Sequence, residues 1–174
     1  MKARRTDGSA RRAAPSLELV ELEFPEGCNI ILGQTHFIKS VEDIYEAVAG
    51  SVPGAAFGMA FAEASGPRLV RSDGTDLELR RLAEENLMRL GCGHAFVVIL
   101  SGAWPIQVLG ALRQVPEVCG IFCATANPVS VIVARSGAGG GVLGVIDGEA
   151  PQAVECEADI EARRALLRRL GYKR

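Results

Sequence analysis

His36 and Lys39 stand three residues apart in Gly33-Gln34-Thr35-His36-Phe37-Ile38-Lys39-Ser40, and His36 is one of only 2 histidines in the chain. A neutral imidazole is a competent nucleophile at cellular pH, and a lysine beside it can stabilise the charge on a phosphoryl group. The pair falls where a short apolar run, Cys28 to Leu32, gives way to Val41, Ile44, Tyr45 and Val48 at helical spacing. Ser40 followed by Asp43 reads as a capping box at that helix start. Backbone N–H groups there are unpaired and carry the positive end of the helix dipole, so the preceding loop is a natural seat for phosphate. Thr35 and His36 could equally do no more than tie down a connecting loop.

Other polar residues recur at the ends of apolar runs: Glu63 and Ser65, Arg71 and Asp76, His94, Thr125 and Asn127, and Asp147. In layered α/β folds, strand ends at one edge of a sheet converge on a crevice, so several of these could share a site. Each also has a structural reading. Asp76 can serve as the first-turn acid of its helix, and Arg71 can pair with Asp73. His94, between glycine and an apolar run, can be a hydrogen-bonded core or interface residue. Thr125 and Asn127 can shape the turn before Pro128. Glu63 is harder to set aside, because a carboxylate ending an apolar strand needs a partner.

The elements that must position these residues follow from periodicity. Leu17 to Phe24 alternates as a half-buried strand would, with Leu17, Leu19, Leu22 and Phe24 apolar and Val20 breaking the pattern. Further strand runs are Cys28 to Leu32, Ala56 to Ala62, His94 to Leu100, Glu117 to Ala124, Val129 to Ala134 and Val142 to Ile146. Helices are expected from Val41, from the capping box Thr75-Asp76-Leu77-Glu78, and after Trp104-Pro105 to about Gln114. A last helix is expected to bring Ile160, Leu167 and Leu170 to the core while Arg163, Arg164, Arg168 and Arg169 face water. About seven strands interleaved with four helices imply an α/β protein, and the tight late connections imply a mixed sheet. The expected architecture is a layered α/β/α sandwich.

Composition narrows the function classes. At 174 residues with 48% hydrophobic and 23% charged side chains, the chain reads as one globular domain, residues 16–174, behind a basic, disordered extension, residues 1–15. Residues 16–174 carry 14 basic against 20 acidic side chains, which argues against nucleic acid as the main partner. No apolar run approaches the ~20 residues that span a bilayer, and the N-terminal basic residues lack an apolar stretch behind them. Five cysteines without a close CxxC pair suit a reducing cytoplasm and buried free thiols. Cys119 and Cys123 fall in one strand, where four residues span roughly 13 Å, too far for one metal ion; no metal site is expected from the histidines and cysteines. Gly139-Gly140-Gly141-Val142-Leu143-Gly144 satisfies G-x-G-x-x-G but opens a strand rather than a helix, so it reads as a hairpin. No Walker A, kinase catalytic-loop or G-x-S-x-G sequence is present. The phosphate donor therefore stays unnamed.

Five ordered blocks carry a family resemblance: GQTHFIKSVEDIYEAV, FGMAFAEASGPRLVRSDGTD, GCGHAFVVIL, FCATANPVSVIVA and LGVIDG, closing with LRRLGYK. Together they resemble the adenosine-specific kinase family over residues 16–174. The resemblance implies an α/β fold, a homotrimer, recognition of adenosine or AMP, and phosphorylation of a histidine. Residues at matching positions are His36 and Lys39 as catalytic candidates, with Glu63, Ser65, Arg71, Asp76, His94, Thr125, Asn127 and Asp147 as substrate-binding candidates. On this reading His36 accepts the phosphoryl group, Lys39 and Arg71 stabilise its charge, and Asp76 or Asp147 holds Mg²⁺ or the ribose hydroxyls. A non-catalytic adenosine or AMP sensor is the alternative. Family members often carry an arginine in the turn before LGVIDG where this chain has Gly139-Gly140-Gly141; if that arginine touches phosphate, the resemblance implies weaker binding of the phosphorylated ligand here.

Overall fold

The computed structural model describes residues 14–174, so nearly all of the expected basic extension lies outside the described residues. The elements in chain order are β1 Ser16–Leu22, β2 Asn29–Thr35, α1 Ser40–Ser51, β3 Ala56–Ala62, β4 Val70–Gly74 and α2 Leu77–Leu90. They continue with β5 Ala95–Ser101, α3 Pro105–Leu112, β6 Val118–Thr125, β7 Val129–Ser136, β8 Gly139–Asp147 and α4 Glu157–Arg169. The fold is α/β, as the alternation of elements predicts.

Strands β4-β3-β5-β2-β6 form a five-stranded sheet and β1-β7-β8 a three-stranded one. The expected mixed pairing resolves into antiparallel pairs throughout both sheets. The reason lies in one insertion. The α1 crossover leaves β2 and β3 running the same way, but β5 enters between them and pairs antiparallel with each.

Both faces of the large sheet are covered. Ile31, Phe57, Met59, Phe61, Phe96, Val98 and Leu100 meet Ile44 and Val48 of α1 and Val108 and Leu112 of α3. On the other face, Ile30, Leu32, Ala60, Val97 and Ile99 meet Leu79, Ala83, Leu87 and Leu90 of α2 together with Val129, Val131 and Val133 of β7. Burial on two faces is why β2 and β5 read as unbroken apolar runs. The second outer layer is thus shared between a helix and the small sheet.

Three local expectations are corrected. Leu17 and Leu19 are exposed at 67% and 59%, while Val20 and Leu22 turn inward, so the residue that broke the alternation marks the core face of β1. Leu19 lies opposite Ile132 on the outer face of the small sheet. Helix α4 buries none of its residues, against the expectation that Ile160, Leu167 and Leu170 reach the core. The capping boxes also differ. Ser40 is already helical and its hydroxyl bonds back to Phe37 O at 2.7 Å, whereas Asp76, not Thr75, caps α2 by accepting from Leu79 N at 2.9 Å.

Helix α2 closes with Gly91 in the left-handed region (φ 56°), and Arg135 of β7 finishes it. The Arg135 guanidinium donates to Leu90 O at 2.8 Å and Gly91 O at 3.1 Å and pairs with Glu18 at 2.8 Å. Arg135→Ala is expected to lower stability by about 1–2 kcal/mol, since charged donors to helix-end carbonyls are lost. Urea denaturation of the variant measures it.

Candidate active site

One edge of the large sheet gathers the C-terminal ends of β2 and β3 and the N-terminal ends of β4, β5 and β6. That edge carries His36, Glu63, Ser65, Arg71, His94 and a residue not singled out in the sequence, Glu117. His36, Glu63, Ser65 and His94 line one cavity of about 380 Å³ with Phe37 and Phe61. Antiparallel pairing around β5 is what brings both histidines to the same edge, although 58 positions separate them in the numbering.

His94 is braced. Its N–H donates to Ala62 O at 2.7 Å, its carbonyl accepts from Thr35 N at 2.9 Å, and its ring stacks on Phe61 with centroids 6.1 Å apart at 13°. Its backbone is left-handed, at φ 62°. His36, by contrast, is exposed on the loop leading to α1, its N–H donating to Glu117 O at 3.0 Å. Phe37 next to it holds φ 83°, a region a bulky side chain occupies only under strain of order 1–3 kcal/mol. The loop is held there by Ser40, whose hydroxyl lies 2.7 Å from the hydroxyl of Thr35, itself fully buried.

The lysine faces carboxylates. Lys39 Nζ pairs with Asp43 and lies 2.6 Å from Glu117 Oε1. The Asp43 hydrogen bond, followed by that to Glu117, raises the ammonium well above its ordinary value, so it stays charged. Glu117 is buried, with its side chain 7% exposed, and its Oε2 has no partner among the described residues. An acid opening an apolar run directly after Pro116 was the signal available for it.

Glu63 closes the β3–β4 connection. Its carboxylate accepts from Leu69 N at 2.9 Å and from Arg71 Nε at 3.0 Å and pairs with Arg71 Nη2 at 2.9 Å. Arg71 therefore pairs with Glu63 rather than Asp73, whose carboxylate accepts from Gly74 N. The Leu69 N–H, then Arg71, holds the Glu63 carboxyl below its ordinary value. A depressed carboxyl stabilises the fold above the unfolded-state value and loses that contribution as pH falls through the folded one. Wild-type stability is expected to fall below about pH 4.5, and Glu63→Gln to flatten that acid limb, as read from melting temperature against pH.

The remaining candidates lie elsewhere in the chain. Asp76 caps α2 at the opposite sheet edge, since Gly58 pairs with Gly74 and Ala62 with Val70. Thr125, Asn127 and Asp147 form one cluster: Thr125 Oγ1 accepts from Asn127 N at 3.0 Å, and Asn127 Nδ2 donates to Asp147 Oδ1 at 3.1 Å. Thr125 pairs near Ile30 whereas Val118 pairs with Thr35, so this cluster sits about 20 Å along the strands from His36. Among the described residues, no three His, Cys, Asp or Glu side chains group closely enough to hold a metal ion.

A second cavity of about 630 Å³ adjoins the first through Glu63 and Ala64, and Gly139 and Gly140 at the start of β8 line it. The five cysteines are free: Cys28, Cys92 and Cys123 are buried as expected, but Cys119 and Cys156 are exposed. Burial pushes the Cys123 thiol up to about 11. Among the described residues, no helix is long and apolar enough to cross a membrane.

Residues 20–173 match the family described as adenosine specific kinase. No curated protein matches the chain. Among solved structures, the PH1918 protein from Pyrococcus horikoshii OT3 is similar at 40% identity and a TM-score of 0.88, over 92% of this chain and 99% of that one. With nearly its whole described length matched, the chain belongs to the adenosine-specific kinase family.

Proposed function

We propose that the protein is a phosphotransferase acting on adenosine or AMP, with His36 as the phosphoryl carrier. The observation that carries the reading is the meeting of two imidazoles in one cavity directly before the N-terminus of α1, in a chain of this family. His36 is preferred over His94 because its side chain lies on an exposed loop, whereas the His94 ring is stacked on Phe61. The imidazole nitrogen forms an N–P bond as the donor's P–O bond breaks, and the electron pair leaves with the donor oxygen. The adenosine hydroxyl oxygen then displaces the imidazole, and its proton passes to water.

Lys39, held by Asp43 and Glu117, positions the loop that carries His36. Arg71, held by Glu63, sets a second cation near the cavity. Mg²⁺ would supply charge neutralisation on a nucleotide donor's phosphates. Thr125, Asn127 and Asp147 enter this reading as residues offered to a neighbouring protomer in a homotrimer. Light scattering should then return three times the chain mass of 18.4 kDa. Five unpaired thiols fit a cytoplasmic setting.

One observation favours a second reading, an adenosine or AMP sensor: the Lys39 ammonium is turned to two carboxylates. Calorimetric titration with adenosine, AMP, ADP and ATP, with and without Mg²⁺, followed by a turnover assay, separates the two. Binding with phosphoryl transfer is expected; saturable adenosine or AMP binding without turnover on any donor would select the sensor.

A further inference from the structure

We infer that Glu117 is a specificity-determining residue: its buried carboxylate keeps the Lys39 ammonium from an arriving anion and so biases this edge toward uncharged ligands over phosphorylated ones. The choice of adenosine and AMP as the ligands to compare rests on the reading above; the state of Lys39 does not.

Lys39 has two partners of unequal hold. Asp43 stands one turn further along α1 with its side chain 27% exposed, and an i,i+4 pair at a surface contributes little. Glu117 comes from the chain just before β6, and its side chain is 7% exposed. Its Oε1 lies 2.6 Å from Lys39 Nζ, and its Oε2 has no partner among the described residues. A carboxylate with so little water needs its charge met, and among the described residues Lys39 is the one cation that pairs with it. Handing Lys39 to a phosphate would strand that buried charge. Glu117 therefore opposes the transfer, and Asp43 hardly does. The same residue also ties down the histidine loop, since its carbonyl accepts from His36 N–H at 3.0 Å.

The charges around the loop point the same way. The ion pairs of this edge set two cations, Lys39 and Arg71, against three carboxylates, Asp43, Glu117 and Glu63. Arg68 lines the adjoining cavity and not the one with the histidines. Glu42 and Asp43 in the first turn of α1 further offset the positive end of its dipole. A neutral nucleoside is indifferent to this field, whereas a phosphate dianion is repelled by it.

The test uses the full chain. Lysines occur only as Lys2, Lys39 and Lys173, so competitive acetylation read by mass spectrometry compares Lys39 with the exposed Lys173. Lys39 is expected to react about tenfold more slowly than Lys173, and to recover most of that difference in Glu117→Gln. Calorimetry with adenosine, AMP and inorganic pyrophosphate gives a second readout. Glu117→Gln is expected to raise AMP affinity relative to adenosine about tenfold and to tighten pyrophosphate by a similar factor. Asp43→Asn is expected to shift that ratio by less than about threefold. The double variant Lys39→Met with Glu117→Gln, which leaves neither charge unpaired, is expected to lose the gain. Acetylation of wild-type Lys39 at the Lys173 rate overturns the proposal. So do an unchanged ratio in Glu117→Gln, an equal shift in Asp43→Asn, and a gain that persists without Lys39. If no variant binds adenosine or AMP, the adenosine reading falls, while acetylation and pyrophosphate still decide the role of Glu117.

Discussion

His36→Asn is expected to abolish phosphate incorporation, a loss of at least about 10³-fold, while His94→Asn retains it. The asymmetry follows from backbone as much as from side chain. His94 holds φ 62° between two main-chain hydrogen bonds, and asparagine tolerates that region better than other non-glycine residues, so His94→Asn should keep the β2–β3–β5 junction intact. What it removes is the ring stacked on Phe61. At position 36, asparagine removes the proposed nucleophile from an exposed loop and leaves the N–H to Glu117 O in place. Acid-labile phosphate measured on both variants after incubation with ATP and Mg²⁺ decides the matter. Incorporation that survives in His36→Asn and vanishes in His94→Asn would move the carrier role to His94.

The largest effect on stability is expected at a glycine remote from the cavity. Helix α2 crosses β3 so closely that a Cβ on Gly58 would lie 2.0 Å from Arg80 N and 2.2 Å from Leu79 C, both backbone atoms. Backbone cannot rotate aside as a side chain can, so Gly58→Ala must push the helix off the sheet or bend the strand. Leu79, Ala83, Leu87 and Leu90 would then lose part of their packing against Ala60 and Val97. A destabilisation of about 3 kcal/mol is expected, which for a chain of this size is a fall of roughly 6–12 °C in melting temperature. Gly110 is the control, since a Cβ there would meet nothing within 4 Å: Gly110→Ala in α3 should be neutral or slightly stabilising.

Much of this architecture is legible as pattern. The runs at Ala56–Ala62 and from Val129 onward fall where β3 and β7 lie, and all four helices leave a signal, because two-sided burial and 3.6-residue periodicity mark a sequence strongly. Strand β4 leaves none. Its residues Val70-Arg71-Ser72-Asp73-Gly74 are partly exposed at a sheet edge, where polar side chains are tolerated and no alternation is imposed. The outward Leu17 and Leu19 mislead for the opposite reason: apolar residues on an outer sheet face mimic a core face when one chain is read alone. In the site, His36, Glu63, Ser65 and His94 can be named from strand ends. That these four meet, while Thr125, Asn127 and Asp147 assemble at the far end, depends on β5 and β6 flanking β2, a long-range pairing no local window contains.

That pairing also dictates a timetable. Ile30 of β2 finds its neighbour Ile99 only 69 positions later, and its other neighbour Thr125 later still. At the usual 5–20 residues per second of synthesis, the ribosome leaves Ile30, Ile31 and Leu32 waiting roughly 3–14 s for β5 to emerge. Throughout that interval three of the most deeply buried side chains of the finished protein stand on an unpaired strand, and the histidine loop behind them has no fixed shape to hold it. The segment that ends as the scaffold of the cavity therefore begins as exposed apolar chain that stays aggregation-prone until β5 emerges.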